Sequence, residues 1–223
     1  VAQAIKLEFG LSDTQLGLLN GFAFVALYGV TSLPLARLAD RTSRSLVLAG
    51  ALAFWSLATA ACGLAKNFGQ LAIARACVGI GESACQPVGY ALVSEHFPPE
   101  RRNAAMGWFL LGNNLGIVAG FAIGGWIGAE FGWRTAFIAV AIPGLLIAVV
   151  LSRFRSPAAA VALAAEPQPP FFATFRMLLK NRTYGYLVVL GGVFSMTIFG
   201  PIAFLPAFFV RSHGLPMGTV GAY

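Results

Sequence analysis

Long apolar stretches separated by short polar segments dominate the chain. Each is about 20 residues or longer, which is the length a helix needs to cross a hydrocarbon core about 30 Å thick. The stretches lack the alternation of the roughly 10-residue strands of membrane barrels. The pattern therefore predicts an all-α protein with six membrane-spanning helices, at about residues 14–36, 46–65, 70–93, 104–128, 133–152 and 184–210.

The composition strengthens this interpretation. Of the 223 residues, 58% are hydrophobic and 10% are charged, and the mean hydropathy is +0.77. Soluble domains carry about 25% charged residues, so a soluble globular protein is excluded. The stretch from Val1 to Thr14 lacks the basic start, apolar core and cleavage site of a secretory signal peptide.

The basic residues are distributed unevenly between the two predicted sides of the membrane. When the loops are assigned alternately, ten basic residues lie on one side and four on the other. Positive charge concentrates in cytoplasmic loops, so we expect the ten to face the cytoplasm of a cell, in the inner membrane of a bacterium. The net charge of +7 then reflects membrane topology and does not indicate a nucleic acid partner. The ten are Arg37, Arg41, Arg44, Arg101, Arg102, Arg153, Arg155, Arg176, Lys180 and Arg182, and the four are Lys6, Lys66, Arg134 and Arg211.

The sequence contains no combination of residues typical of an enzyme or a metalloprotein. Cys62, Cys77 and Cys85 lie within predicted spans and show no CxxC spacing, so we interpret them as packed structural thiols. No His, Ser and Cys constellation converges within the spans. We expect no catalytic residue, no metal site and no cofactor.

The segment RACVGIGESAC places Arg75 and Glu82 within an apolar run. Seven residues on a helix span about 10.5 Å and return to nearly the same face. A charge at the bilayer centre costs at least about 2.5 to 3.5 kcal/mol, so these side chains face the protein interior or a water-filled cavity. Either they neutralise partners on other helices, or they line a path on which Arg75 positions an anionic group and Glu82 binds a cation or a proton. Weaker candidates for this path are Gln86, Tyr90, Asn113 and Asn114.

Glycines recur every four residues in the fourth predicted span. Positions four apart lie on one face of a helix, so these glycines form a groove against which another helix can pack closely. They are Gly112, Gly116, Gly120, Gly124 and Gly128.

The first basic loop, LARLADRTSRS, contains Asp40, Arg41 and Arg44. A carboxylate at the start of a helix stabilises the free backbone N–H groups there, and neighbouring arginines can reach another helix as a breakable cytoplasmic latch. An ordinary basic loop explains the arginines but not Asp40.

This loop resembles the Gly-x-x-x-Asp-Arg-x-Gly-Arg-Arg signature of the major facilitator superfamily, although Ala36, Ser43 and Ser45 depart from it. FPPERRNAAMGWF and FGWRTAF resemble connections of the same superfamily, and RACVGIGESA resembles the Arg-x-x-x-Gly-x-Gly-Glu run of its spinster-like branch. The stretch Gly116 to Gly125 is similar to an antiporter motif, but Phe121 replaces its proline.

The resemblance implies that the six spans are helices two to seven of a twelve-helix bundle. Residues 1–152 then form most of the N-terminal bundle, 153–183 a cytoplasmic linker, and 184–223 the start of the C-terminal bundle. The pattern Gly-Leu-x5-Gly occurs at both Gly10 and Gly214, as expected of related halves. We expect further helices before Val1 and after Tyr223.

Within the linker, residues 171–179 form either an amphipathic helix on the membrane surface or a disordered segment.

The same resemblance implies secondary active transport by alternating access. The expected substrate is a small organic or amphipathic solute, lipid-like or anionic, moved with a coupling proton or sodium ion, and membrane lipids are expected partners. One alternative is an organic-anion:proton symporter of a neighbouring branch. Another is a membrane sensor or scaffold that transports nothing.

Overall fold

The computed structural model describes residues 1–154 and 171–213, and these residues contain helices and no strand. Two compact units are present, residues 1–163 and 164–223. The helices of the first unit are α1 (Ala2–Phe9), α2 (Asp13–Gly17), a π-helical turn (Leu18–Phe22), α3 (Ala23–Arg41), α4 (Arg44–Leu64), α5 (Phe68–Glu82), α6 (Cys85–His96), α7 (Pro99–Glu130) and α8 (Trp133–Arg153); those of the second are α9 (Phe171–Lys180) and α10 (Arg182–His213).

Helix occupies all six predicted ranges, which confirms the all-α class. Three of the described helices are long and apolar enough to cross a membrane, namely α4, α7 and α8. The first predicted helix extends past residue 36 to Arg41, because charged residues at its end continue the helix beyond the apolar run. Within this stretch the π-helical turn at Leu18–Phe22 was not predicted.

Side-chain caps begin several helices. The Ser12 hydroxyl accepts the Gln15 backbone N–H at 3.1 Å, and the Gln15 side chain accepts the Ser12 N–H at 2.9 Å. Ser43 caps α4 and Asn67 caps α5 in the same sense. These side chains satisfy N–H groups that have no partner within the helix.

The prediction of one continuous helix over residues 70–93 was wrong. Helix α5 ends at Glu82 and α6 begins at Cys85, with a turn at Ser83 and Ala84 between them. Pro87 explains the break, because a proline has no N–H to donate to the carbonyl four residues earlier and its ring collides with that carbonyl. The carbonyl concerned is that of Ser83.

Glycines bring α4 and α8 into close contact. A Cβ on Gly63 would lie 2.6 Å from the Arg134 carbonyl oxygen, and one on Gly144 would collide with the Ser56 side chain. Only residues without a side chain allow backbones to approach this closely. The buried residues around this contact include Cys62, Leu71 and Trp133 of the main apolar core.

The predicted glycine stripe on α7 lies partly at a helix contact. Gly124 faces Val140, and Gly128 faces Val1 and Ala136. The remaining members face open space in the part of the chain that the structure describes, so their packing role stays a prediction; they are Gly112, Gly116 and Gly120.

A polar network joins α1 to the start of α8. The guanidinium of Arg134 donates to the Glu8 carboxylate at 2.6 Å and to the Ala65 carbonyl at 2.9 Å, while Trp133 Nε1 donates to Glu8 at 2.7 Å. The hydrogen bond from Arg134, and then that from Trp133, hold the pKa of the Glu8 carboxyl below its usual range. The network fixes α1 over the end of the bundle.

The second unit contains α9 and α10. Residues 171–180 form a helix, and Arg176, Met177, Leu179 and Lys180 on it are exposed. Its location on a membrane surface stays a prediction. The rest of the predicted linker from residue 155 and the repeat partner at residues 214–221 lie outside the described residues.

The close approach of α4 and α8 is testable by adding one methyl group. We expect Gly63→Ala to lower the free energy of unfolding of the full-length protein by about 1 to 3 kcal/mol, because the obstructing atom is a backbone oxygen that cannot turn aside. Gly50→Ala on the same helix is the matched control, since a Cβ there meets nothing within 4 Å. Equilibrium unfolding in detergent micelles measures both; equal stability of the two variants would refute the contact.

Candidate functional site

The break between α5 and α6 places a carboxylate at a helix end inside an apolar span. Glu82 is the last residue of α5, and its side chain is exposed. The next residue, Ser83, is fully buried, and its hydroxyl lies 2.9 Å from that of Thr31 on α3 and 2.7 Å from the Ile80 carbonyl. These hydrogen bonds fix the turn and so the position of the carboxylate.

Arg75 on α5 reaches across to Phe137 of α8. Its guanidinium carbon is 5.2 Å from the centre of the Phe137 ring, which is within cation–π range. Arg75 also interacts electrostatically with Glu82. The structure therefore brings these two predicted site residues into one electrostatic environment, with Arg75 half-buried and Glu82 exposed.

A tyrosine that the sequence analysis missed joins this group. Tyr28 on α3 interacts electrostatically with Glu82 and Tyr90, and its ring packs 5.8 Å from that of Phe24. The Phe24 carbonyl lies so close to Gly79 that a Cβ there would be 2.7 Å away. The sequence signal that could have identified Tyr28 was a single aromatic hydroxyl in an apolar stretch. Sequence spacing alone does not show that α3 packs against α5.

The other predicted path residues are more scattered. Tyr90 packs its ring edge-on against Phe109 of α7, with centroids 5.5 Å apart. Gln86, Asn113 and Asn114 are exposed. Within residues 1–154, no hydrogen bond joins these three to Arg75 or Glu82.

A second polar cluster lies at the opposite end of α4 from Arg134. Arg44 donates to Asp40 at 3.0 Å and to Glu95 of α6 at 3.3 Å. The expectation that Asp40 stands at the start of a helix was wrong: Asp40 is in the last turn of α3, and Ser43 caps α4. Arg41 is exposed. Glu95, which the sequence analysis missed, is the carboxylate that the predicted arginine reaches.

No group of three or more His, Cys, Asp or Glu side chains able to hold a metal ion occurs among the described residues. Cys62, Cys77 and Cys85 are free thiols.

Comparison with known proteins decides the family. The chain matches the Major Facilitator Superfamily over residues 1–223. The chain belongs to the Major Facilitator Superfamily.

Individual superfamily relatives agree with this assignment. The chain is 34% identical, over 99% of its length, to an MFS-type efflux pump of Mycolicibacterium smegmatis, of which it covers 52%. It is 30% identical, over 97% of its length, to the "Probable L-galactonate transporter" of Escherichia coli, of which it covers 51%. The chain thus spans about half the length of the relatives it matches.

A solved superfamily structure shares the fold. The crystal structure of a bacterial homologue of the human lysosomal transporter Spinster, in an inward-facing and unoccupied conformation, is 28% identical, with a TM-score of 0.78 over 99% of this chain and 53% of that one. Superfamily members are integral membrane proteins, and their names describe transport rather than enzymatic turnover. The spinster-like resemblance is confirmed.

The Arg44 cluster predicts unequal coupling energies in the full-length superfamily protein. The Arg44–Glu95 pair is the more buried, since side-chain exposure is 11% for Glu95 and 39% for Asp40. Exposed pairs contribute about 0.2 to 1 kcal/mol, so we expect the coupling in an Arg44→Ala/Glu95→Gln double-mutant cycle to exceed 1 kcal/mol and that in an Arg44→Ala/Asp40→Asn cycle to stay below it.

Equilibrium unfolding in detergent micelles measures both cycles, and Arg41→Ala serves as the control without coupling to Glu95. A larger coupling to Asp40 than to Glu95 would contradict the geometry.

Proposed function

We propose that the full-length protein is a secondary active transporter that moves a small organic solute across the membrane by alternating access. The observation that carries the proposal is the carboxylate of Glu82, held at a helix break within an apolar span, where the charge of Arg75 and the hydroxyl of Tyr28 influence it electrostatically. Broken helices with polar groups near the bilayer centre are where secondary transporters bind substrates and coupling ions.

The exposure of Glu82 supports a role on a translocation path rather than a role in holding helices together. An ionisable side chain within a membrane lies against other protein groups or in a water-filled cavity, because contact with lipid is costly. Glu82 is exposed, and no hydrogen bond satisfies it within the described residues. In this proposal its carboxylate faces the aqueous path and binds the coupling proton or a sodium ion. Tyr90, Gln86, Asn113 and Asn114 line the same path.

The solute that this site favours is an organic anion or an amphipathic molecule with an anionic group. Arg75 supplies a fixed positive charge that remains ionised at any physiological pH. Its guanidinium carbon lies 5.2 Å from the centre of the Phe137 ring, and a guanidinium is the group that binds a carboxylate or phosphate through two parallel hydrogen bonds. A relative named for L-galactonate supports sugar acids, and a relative named a probable sphingolipid transporter and spinster homolog supports lipid-like solutes. The relative named for L-galactonate favours the alternative that the protein is an organic-anion:proton symporter.

The remaining predicted elements take supporting roles in this proposal. Asp40, Arg41 and Arg44 form the cytoplasmic gating motif, in which the bridge from Arg44 to α6 holds one conformation. The three α7 glycines that face open space form a surface against which another helix can pack closely. The membrane is the inner membrane of a bacterium, with the basic loops cytoplasmic.

We propose that the chain is divided into two parts of helical bundles and a linker between them. Residues 1–152 supply helices two to six of the N-terminal bundle, 153–183 the cytoplasmic linker, and 184–223 the start of the C-terminal bundle. Rocking of the two bundles around a site near the membrane midplane exposes that site to each side in turn.

Replacing the Glu82 carboxylate by an amide tests whether Glu82 couples transport to an ion gradient. We expect Glu82→Gln in the full-length protein, reconstituted in liposomes, to abolish gradient-driven uptake while leaving folding and insertion intact, because the amide cannot exchange a proton or supply a negative charge to a cation. L-galactonate, a hexuronate and a lysophospholipid are the substrates to supply, with pH and sodium gradients imposed separately.

The matched control is Glu130→Gln, which makes the same change at an exposed residue at the end of α7. Uptake at the wild-type rate by correctly inserted Glu82→Gln protein would overturn the coupling role.

A further inference from the structure

Two apolar grooves run along one side of α4, one toward each end. The first, which we name the outer groove, lies between α4 and α5 and has a volume of about 550 Å³. The second, the inner groove, lies among α3, α4 and α5 and has a volume of about 500 Å³. Phe54 lines both grooves, so they meet end to end at this side chain.

The lengths of the grooves match the two leaflets of a bilayer. Along α4 and its C-cap the outer groove runs from Phe54 to Ala65, and along α4 the inner groove runs from Leu46 to Phe54. At 1.5 Å per residue these stretches are about 16 Å and 12 Å long, and together they nearly equal the hydrocarbon thickness of about 30 Å. Phe54 therefore stands near the midplane, and each groove covers the depth of one leaflet.

The outer groove has the shape of a slot. Its floor is made of alanines that are almost fully buried, namely Ala58 of α4, Ala65 directly after α4 and Ala74 of α5. Its walls are long side chains that stand out from the surface, Leu57 and Leu64 at 58% and 67% exposed on one helix and Ile73 at 67% on the other. A narrow apolar slot between two ridges fits a flexible hydrocarbon chain.

Among the described residues, a polar and a basic side chain mark the outer end of this slot. Gln70 lines the groove there, and its side-chain oxygen accepts the Lys66 backbone N–H at 2.8 Å. The exposed Lys66 follows the last residues of the groove on α4, on the side that the charge distribution assigns to the outer face. An amine at this height lies at the level of phospholipid headgroups.

We propose that the outer groove binds one acyl chain of an outer-leaflet phospholipid, with Lys66 attracting the lipid phosphate. Packing of the acyl chain against the preformed walls of the slot supplies most of the affinity, because the chain exchanges contacts with fluid tails for close contacts with the protein. The end of the chain reaches Cys77 in the deeper part of the groove. The inference depends on membrane embedding alone and not on the proposed transport activity.

The experiment is native mass spectrometry of the full-length protein, delipidated in detergent and titrated with dioleoylphosphatidylglycerol. We expect saturable binding to the wild type and about tenfold weaker binding to Ala61→Trp, because an indole at this exposed groove position occupies the slot. Ile73→Trp, on the opposite wall, is a second variant in case the first does not fold. Leu146→Trp, an exposed position of α8 outside both grooves, is the control and should bind as the wild type does.

Two further lipids separate the acyl chain from the headgroup. Dihexanoylphosphatidylglycerol keeps the phosphate but is too short to fill the slot, so it should bind at least tenfold more weakly. Dioleoylglycerol lacks the phosphate and should bind equally to the wild type and to Lys66→Gln, whereas dioleoylphosphatidylglycerol should bind the variant more weakly.

Equal binding of dioleoylphosphatidylglycerol by the wild type and both groove variants would overturn the proposal. So would an equal loss in Leu146→Trp, which would indicate unspecific lipid coating. Tight binding of the short-chain lipid would assign the contact to the headgroup alone.

Discussion

The free-energy cost of placing charge in an apolar environment governs where the polar side chains of this bundle lie. Most ionised groups are at helix ends, where water and opposite charges reach them: Arg134 pairs with Glu8 at one end and Arg44 with Asp40 and Glu95 at the other. Arg75 and Glu82 lie between these ends, and the surroundings of each lower the cost of its charge. One stacks on Phe137, and the other is exposed at a helix break.

The break connects the local sequence to the candidate site. Pro87 prevents α5 from continuing into α6, and the hydroxyls of Ser83 and Thr31 fix the turn that results. Glu82 thereby becomes a helix-terminal residue in the middle of an apolar stretch. A discontinuous helix with a carboxylate at the break is a feature of transporter binding sites rather than of passive membrane anchors, which is why the proposed function rests on it.

The periodicity and hydropathy of the sequence were sufficient to predict where helices lie, because each apolar run is long and is bounded by polar segments. Contacts between distant residues were not predictable in this way. Arg44 reaches Glu95 across 51 residues, and Tyr28 interacts electrostatically with Glu82 only because α3 packs against α5. The break was foreseeable from Pro87, but an uninterrupted apolar pattern outweighed that single residue. Asp40 was misplaced because the charged end of α3 is helical.

In the proposed mechanism, Glu82 faces an aqueous path through the membrane. The most direct measurement is labelling of Glu82→Cys by a charged, membrane-impermeant thiol reagent, in full-length protein in membrane vesicles, with Cys62, Cys77 and Cys85 replaced by alanine. Leu57→Cys, on the exposed apolar side of α4, is the comparison. We expect rapid labelling of Glu82→Cys and none of Leu57→Cys; failure to label Glu82→Cys from either side of the membrane would show that this position is not in contact with water.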